Sequence, residues 1–243
     1  MGWSPKSATN AYLDTLKLCK DDKEIKNDQP KSIEPESNEF LSALAAGTSA
    51  QLIVEVSTEA SNSTIALAAA ARQTGGRLVC ILPEADALEE SKEVIKESGL
   101  NDMVEFRVGD PYKLLPKYEN IDFSLVDCKT EANAGLLRLL DVNPRRAVVV
   151  AKNLVGRREG FCGDIRGLKV KGAVRSMKHP LGNGMEVTMI GETKEFGKVD
   201  RKVGWKERKA KGSLKRRPHR SRWVMKVDEE SGEEHIFRVF QSQ

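Results

Sequence analysis

An α/β fold with a doubly wound, mostly parallel sheet of Rossmann-like type is predicted by three observations. Strand-like runs alternate with helical spans from Asn38 to Ala151. Ala147-Val148-Val149-Val150-Ala151 is apolar throughout, as a strand covered on both faces must be. Val174 to His179 and Met185 to Ile190 flank the loop Pro180-Leu181-Gly182-Asn183-Gly184, the pattern of an antiparallel hairpin closing the C-terminal end of the sheet.

Each element follows in order. Ser4 precedes Pro5, and Ala8, Ala11, Tyr12, Thr15, Leu16 and Cys19 recur at helical spacing, so a capped helix lying on the body is expected. Asp21 to Ser37 carries Pro30, Pro35 and almost no apolar residue, which reads as a linker or surface loop. The body begins with a short helix over Glu39 to Ala46 and a strand over Gln51 to Val56. A helix over Ser61 to Gln73, closed by Gly75-Gly76, and a strand over Arg77 to Leu82 follow. A second cycle runs through a helix from Ala85 to Ser98 stopped by Gly99, a strand from Met103 to Val108 and a short helix near Tyr112 to Lys117. It continues through a strand from Ile121 to Asp127, a helix from Glu131 to Leu140 and the apolar strand at Ala147. Val104 to Val108 alternates in polarity and is therefore expected at the sheet edge. The alanines 66 and 68 to 71 suit close helix-to-sheet packing.

Composition bounds the function. The 243 residues accommodate one domain with extensions: an N-terminal helix and linker over 1–37, a Rossmann-like domain over 38–195 and a basic tail over 196–243. No apolar run approaches the roughly 20 residues that span a bilayer, and the N-terminal residues lack a charged region leading into an apolar one. An intracellular protein, cytoplasmic or nuclear and without a membrane partner, is expected. Four scattered cysteines with no CxxC pair support neither a disulfide framework nor a zinc site.

The net charge of +4 conceals an asymmetry. Between Lys198 and Lys226 thirteen Lys or Arg face two acids, a balance of +11, so the other residues sum to −7. A basic arm on an acidic body is an expected polyanion ligand, RNA or DNA, with Lys215, Arg216, Arg217 and Arg220 as candidate contacts. Lys206 to Lys211 followed by Lys215 to Arg220 also resembles a two-part nuclear import signal, which defines the alternative reading of a nuclear or nucleic-acid-associated adaptor. Beyond the basic run, Arg222 to Val227 and His235 to Phe240 predict a second, small hairpin.

Four landmarks in sequence order carry a resemblance. They are Ile53-Val54-Glu55-Val56 before a helix, Val108-Gly109-Asp110, Ile121 to Asp127, and Pro180-Leu181-Gly182-Asn183-Gly184-Met185. On these the stretch from about Phe40 to Ile190 resembles the class I methyltransferases of the caffeoyl-CoA and catechol type, which bind S-adenosylmethionine above the carboxyl ends of the strands. With Trp3-Ser4-Pro5, Ala11-Tyr12-Leu13 and Phe40 to Leu44 included, the whole chain is similar to a plant family of unknown function with this fold.

The resemblance implies a cofactor set of Glu55, Ser57, Ser61, Ser63, Glu84, Asp110 and Asp127, with the catalytic residues left unknown. The departures lie in the same places. Where the enzymes carry E-x-G-x-x-x-G-x-S, this chain has Glu55 to Ser63 with Ser57 and Ser61 in the glycine positions. Ser57 either accepts a positive φ at a cost of about 1 kcal/mol or the loop takes another path. The ribose-binding acid is replaced by Leu82, with Glu84 two residues on and therefore on the same side if the strand continues. Metal-dependent members follow a strand-four Asp with an Asp-Asn pair; here Asp127 and Asn153 remain, but Lys152 replaces the middle ligand. Weak or absent S-adenosylmethionine binding and no metal are the expectations, in a methyltransferase-like protein that is divergent or catalytically silent. Cys128 and His179 read as structural.

Overall fold

The computed structural model describes residues 2–19, 37–129, 135–154, 173–181, 183–191, 221–227 and 234–240. The chain separates into two units, Met1–Val199 and Asp200–Gln243.

The first unit holds α1 (Pro5–Leu18), α2 (Ser37–Gly47), β1 (Leu52–Val56), α3 (Asn62–Thr74), β2 (Arg77–Leu82), α4 (Leu88–Glu97) and β3 (Val104–Val108). It continues with α5 (Pro111–Leu114), β4 (Phe123–Asp127), β5 (Arg146–Lys152), β6 (Ala173–His179) and β7 (Met185–Gly191). The seven strands form one sheet in the order β3-β2-β1-β4-β5-β7-β6. β1 to β5 run parallel, and β7 pairs antiparallel with both β5 and β6. This is the expected α/β sheet, with the alternating strand β3 at its edge. The chain winds outward from β1 to β3 and then returns to place β4 on the other side of β1. The strand order therefore reverses between β1 and β4, where an open α/β sheet presents a crevice at its carboxyl ends.

Two apolar layers cover the sheet. Ile53, Leu78, Phe123, Leu125, Val148 and Val150 pack with residues of α1, α2 and α3 on one face. Val54, Val56, Val79, Ile81, Val126 and Val149 pack with Leu136, Leu137 and Leu140 on the other. Ala66 and Ala68 to Ala71 are fully buried, so α3 lies close to the strands because nothing longer than a methyl group separates them. Gly75 ends α3 at φ +67°, a left-handed position that costs glycine nothing. α1 is capped by Ser4, whose hydroxyl accepts from the Ser7 N–H, and it buries Ala8, Ala11 and Thr15. Tyr12 is exposed, unlike the rest of the predicted stripe. Asp14 on α1 accepts from Arg72 at 3.1 Å and Gln73 at 2.7 Å on α3.

α4 begins at Leu88 rather than Ala85, because the preceding residues form a turn. Most of the linker expected over Asp21 to Ser37, residues 130–134 of the helix expected to Leu140, the stretch 155–172 and residues 198–220 of the basic run lie outside the described residues. Lys215, Arg216, Arg217 and Arg220 are among them. The second unit contains the expected hairpin, β8 (Ser221–Val227) paired antiparallel with β9 (Glu234–Phe240). No helix among the described residues is long and apolar enough to cross a membrane.

Candidate functional site

Strand alternation sets the site. In β1 the face occupied by Ile53 is also that of Glu55; in β4 Phe123 and Leu125 lead to Asp127; in β5 Val148 and Val150 lead to Lys152. Three ionisable residues thus stand on one face of adjacent parallel strands, and Asp127 and Lys152 are register partners.

Glu55 is fully buried. Its Oε1 accepts from the Ser63 hydroxyl at 2.7 Å, while Oε2 has no partner among the described residues. Burial pushes its carboxyl above the ordinary value, opposed by the Lys152 charge and by hydroxyl donation from Ser63 and Thr64. Lys152 Nζ donates to the Ser63 Oγ at 3.0 Å and lies 4.0 Å from Asp127 Oδ2. Ser63, at the start of α3, therefore links the ammonium of β5 to the buried carboxyl of β1.

Asp127 is also nearly buried. Its Oδ1 accepts from Asn153 Nδ2 at 2.7 Å and from the Lys129 N–H at 3.2 Å, with Lys129 Nζ 3.8 Å from Oδ2. Asn153 holds this position at φ +63°, a left-handed conformation that asparagine tolerates better than most residues. Its own Oδ1 accepts from Asn183 Nδ2 in the hairpin loop at 3.2 Å.

These groups border a cavity of about 300 Å³ at the carboxyl ends of β1, β4 and β5. Ser57, Thr58, Glu59 and Ser61 line it from the loop after β1; Asp127 and Lys129 from β4; Lys152 and Asn153 from β5; Leu181, Asn183, Gly184 and Met185 from the hairpin.

Of the sequence candidates, Ser57, Ser61 and Asp127 are brought together on this cavity, and Glu55 and Ser63 lie in the hydrogen-bonded chain beside it. Two are not brought there. Glu84 is exposed beyond the end of β2, and Leu82 before it is fully buried. Asp110 is an exposed N-cap of α5, accepting from the Tyr112 N–H at 2.9 Å. Glu59, Lys129 and Asn183 line the cavity without having been singled out from the sequence. Lys129 was legible as a neighbour two residues beyond a strand-end acid, but Asn183 needed the hairpin's placement.

The loop carries its two serines without strain. Positive φ outside glycine occurs, among the described residues, at Ser49, Asn120 and Asn153 only, and Ser61 is extended at φ −143°. The chain takes another path instead of forcing Ser57 into a glycine position. The Ser57 hydroxyl donates to the Glu59 carbonyl at 2.9 Å, and the Thr64 hydroxyl accepts from the Ser61 N–H at 3.0 Å. Much of the hydroxyl cluster thus serves the turn and the helix start. Cys80 sits behind it with its thiol pushed up by burial and by the Glu55 charge, so it is no nucleophile poised at neutral pH, and Cys128 is buried.

A family model described as a protein of unknown function, DUF1442, matches residues 1–239. The chain belongs to the DUF1442 family. No curated protein matches this DUF1442 chain in sequence. Among solved structures it is similar to a putative caffeoyl-CoA O-methyltransferase from Staphylococcus aureus, at 11% identity and a TM-score of 0.50, covering 74% of this chain and 100% of that one. It also matches the O-methyltransferase TomG from Streptomyces achromogenes in complex with SAM (21% identity, 77% and 91% covered, TM-score 0.48). A third match is an SAH-bound methyltransferase from Podospora anserina (17%, 78% and 89%, TM-score 0.49). At these identities the likeness is one of fold.

A divalent cation does not fit: Asp127 is ringed by N–H donors and two ammoniums, and the Asn153 amide presents nitrogen to it while its oxygen is already used. Among the described residues none from the ends of β2 or β3 lines the cavity, and Leu82, where the resemblance calls for a ribose-binding acid, is buried.

Proposed function

We propose that this DUF1442 protein is a methyltransferase-like Rossmann domain with an altered cofactor site, which binds S-adenosylmethionine weakly or not at all and performs no metal-assisted transfer. One observation carries the reading: the Lys152 ammonium stands between Ser63 and Asp127, at the position where the resemblance calls for a metal-ligating acid. The buried Leu82 at the end of β2 supports it, because a ribose diol brought there would meet a methyl group instead of a carboxylate. Any methyl transfer in this protein is metal-independent.

Titration calorimetry of the purified chain with S-adenosylmethionine and S-adenosylhomocysteine tests the reading. Dissociation constants well above about 1 µM are expected, since loss of a hydrogen bond to a charged group costs about 1–3 kcal/mol. A sub-micromolar constant for either ligand overturns it.

A further inference from the structure

The polar cavity is left unexplained by a weakened cofactor site. Its charges are of both signs and unequally committed. Lys152, Lys129 and Asp127 bring two ammoniums and one carboxylate together, and the carboxyl of Glu55, raised by burial, lies behind Ser63. Lys152 is only one-fifth exposed and has three N–H donors; one is spent on Ser63 at 3.0 Å, and Asp127 at 4.0 Å is beyond hydrogen-bond reach. Among the described residues two donors therefore remain unspent. Glu59 also lines the cavity; its backbone carbonyl is fixed by Ser57, and its carboxylate makes no ion pair among the described residues. The lining thus includes two ammoniums, Lys152 and Lys129, one acid that makes no ion pair among the described residues, Glu59, and Leu181 and Met185 as its apolar wall. No aromatic side chain lines it among the described residues, so a base or ring has no stacking partner. At about 300 Å³ it is at the small end of ligand sites.

We propose that this cavity binds a free aliphatic α-amino acid, its carboxylate received by Lys152 and its ammonium by Glu59, with the side chain against Leu181 and Met185. A zwitterion meets charges of both signs at once. A simple carboxylate leaves Glu59 facing it, and a simple amine is repelled by the two ammoniums.

The test is calorimetry on the full chain with L-leucine and L-methionine, with 4-methylpentanoate (no ammonium), 3-methylbutylamine (no carboxylate) and S-adenosylhomocysteine as further probes. Both amino acids are expected to saturate below about 10 mM, and the two single-charge analogues to bind at least about tenfold more weakly. Lys152→Met should weaken L-leucine about tenfold. Glu59 is exposed, so Glu59→Gln keeps the fold whatever Lys152→Met does; it should weaken L-leucine by a similar factor and leave 4-methylpentanoate unchanged. Absence of saturable amino-acid binding overturns this proposal while leaving the altered cofactor site standing. L-leucine binding that is indifferent to Glu59→Gln, or matched by 4-methylpentanoate, overturns it too. S-adenosylhomocysteine displacing L-leucine with sub-micromolar affinity overturns both.

Discussion

Replacing Lys152 with aspartate should create a site that accepts divalent cations. A cation ligated by Asp127 Oδ2 at the usual ~2.1 Å would lie roughly 4 Å from an ammonium that is itself 4.0 Å from that oxygen. Coulomb's law for charges of two and one at ~4 Å gives about 2 kcal/mol of repulsion in water and about 8 at an effective dielectric near 20. Lys152 is partly buried, so the value falls between these limits, and even the lower one weakens binding about 30-fold. Lys152→Met removes the repulsion. Lys152→Asp reverses its sign and adds an oxygen donor beside Asp127. Three neighbouring carboxyls, Glu55, Asp127 and the new one, destabilise the metal-free variant, so Mn²⁺ should raise the melting temperature of Lys152→Asp and leave wild type unmoved. Calorimetry with Mn²⁺ and Mg²⁺ should rank affinity as Asp above Met above Lys. Saturable sub-millimolar Mn²⁺ binding by wild type, or equal affinity in all three proteins, refutes the electrostatic argument.

Other outcomes follow from the same structure. Glu55 has a carboxyl raised by burial above 4.5, so the folded protein holds that proton more tightly than the unfolded chain. The resulting stability is fully present below pH 4.5 and is lost as pH rises through the folded value, at about 1.4 kcal/mol per unit of elevation. Glu55→Gln cannot titrate, so the difference in melting temperature, wild type minus variant, should decline across that window; parallel curves would exclude the assignment. Leu82→Asp should fail to restore ribose recognition and instead lower stability by about 3 kcal/mol or more, because a fully buried leucine is exchanged for a carboxylate. An unchanged melting temperature would mean that the end of β2 opens to water. For residues 198–226, with their +11 balance, we propose polyanion binding and at least partial nuclear accumulation. Affinity for single-stranded RNA should fall with salt at a log-log slope of roughly −0.7 per phosphate contacted. Neutralising Lys215, Arg216 and Arg217 should flatten that slope and reduce nuclear accumulation, and a deletion from Lys198 that changes neither heparin retention nor localisation excludes both effects.

The sheet was legible because its signals are local. A five-residue apolar run at β5, alternation at β3 and glycines after α3 and α4 each specify one element without reference to another. The pairing of Asp127 with Lys152 was legible for a related reason: both end adjacent parallel strands with apolar residues of the same parity before them, and register then brings them together. Glu84 shows where that logic stops. Alternation puts it on Leu82's side only while the chain remains a strand, and β2 ends at Leu82. Asp110 was read as a strand-end ligand, yet Asp-Pro-Tyr is equally a helix start, and the cap satisfies its carboxylate locally. The link from Lys152 to Ser63 crosses 89 positions of sequence and has no local signature.

The serines at the positions where the resemblance calls for glycine fit this pattern. Glycine in such a loop leaves backbone open to a ligand; serine closes the same turn with its own hydroxyl, as Ser57 does on the Glu59 carbonyl. Ser63 and Asn153 likewise take up hydrogen-bonding capacity that a cofactor or cation would use, each on a neighbour at 2.7 Å. A chain that had merely lost a cofactor would leave such groups exposed to water, whereas here they are tied together across β1, β4 and β5. Among the described residues the cavity lining keeps unspent two N–H donors on Lys152, the Lys129 ammonium 3.8 Å from Asp127 and the Glu59 carboxylate, which makes no ion pair. A lining with charges of both signs selects its ligand by charge. Exchanging Lys152 or Glu59 should therefore change which ligand binds more than it changes whether the protein folds.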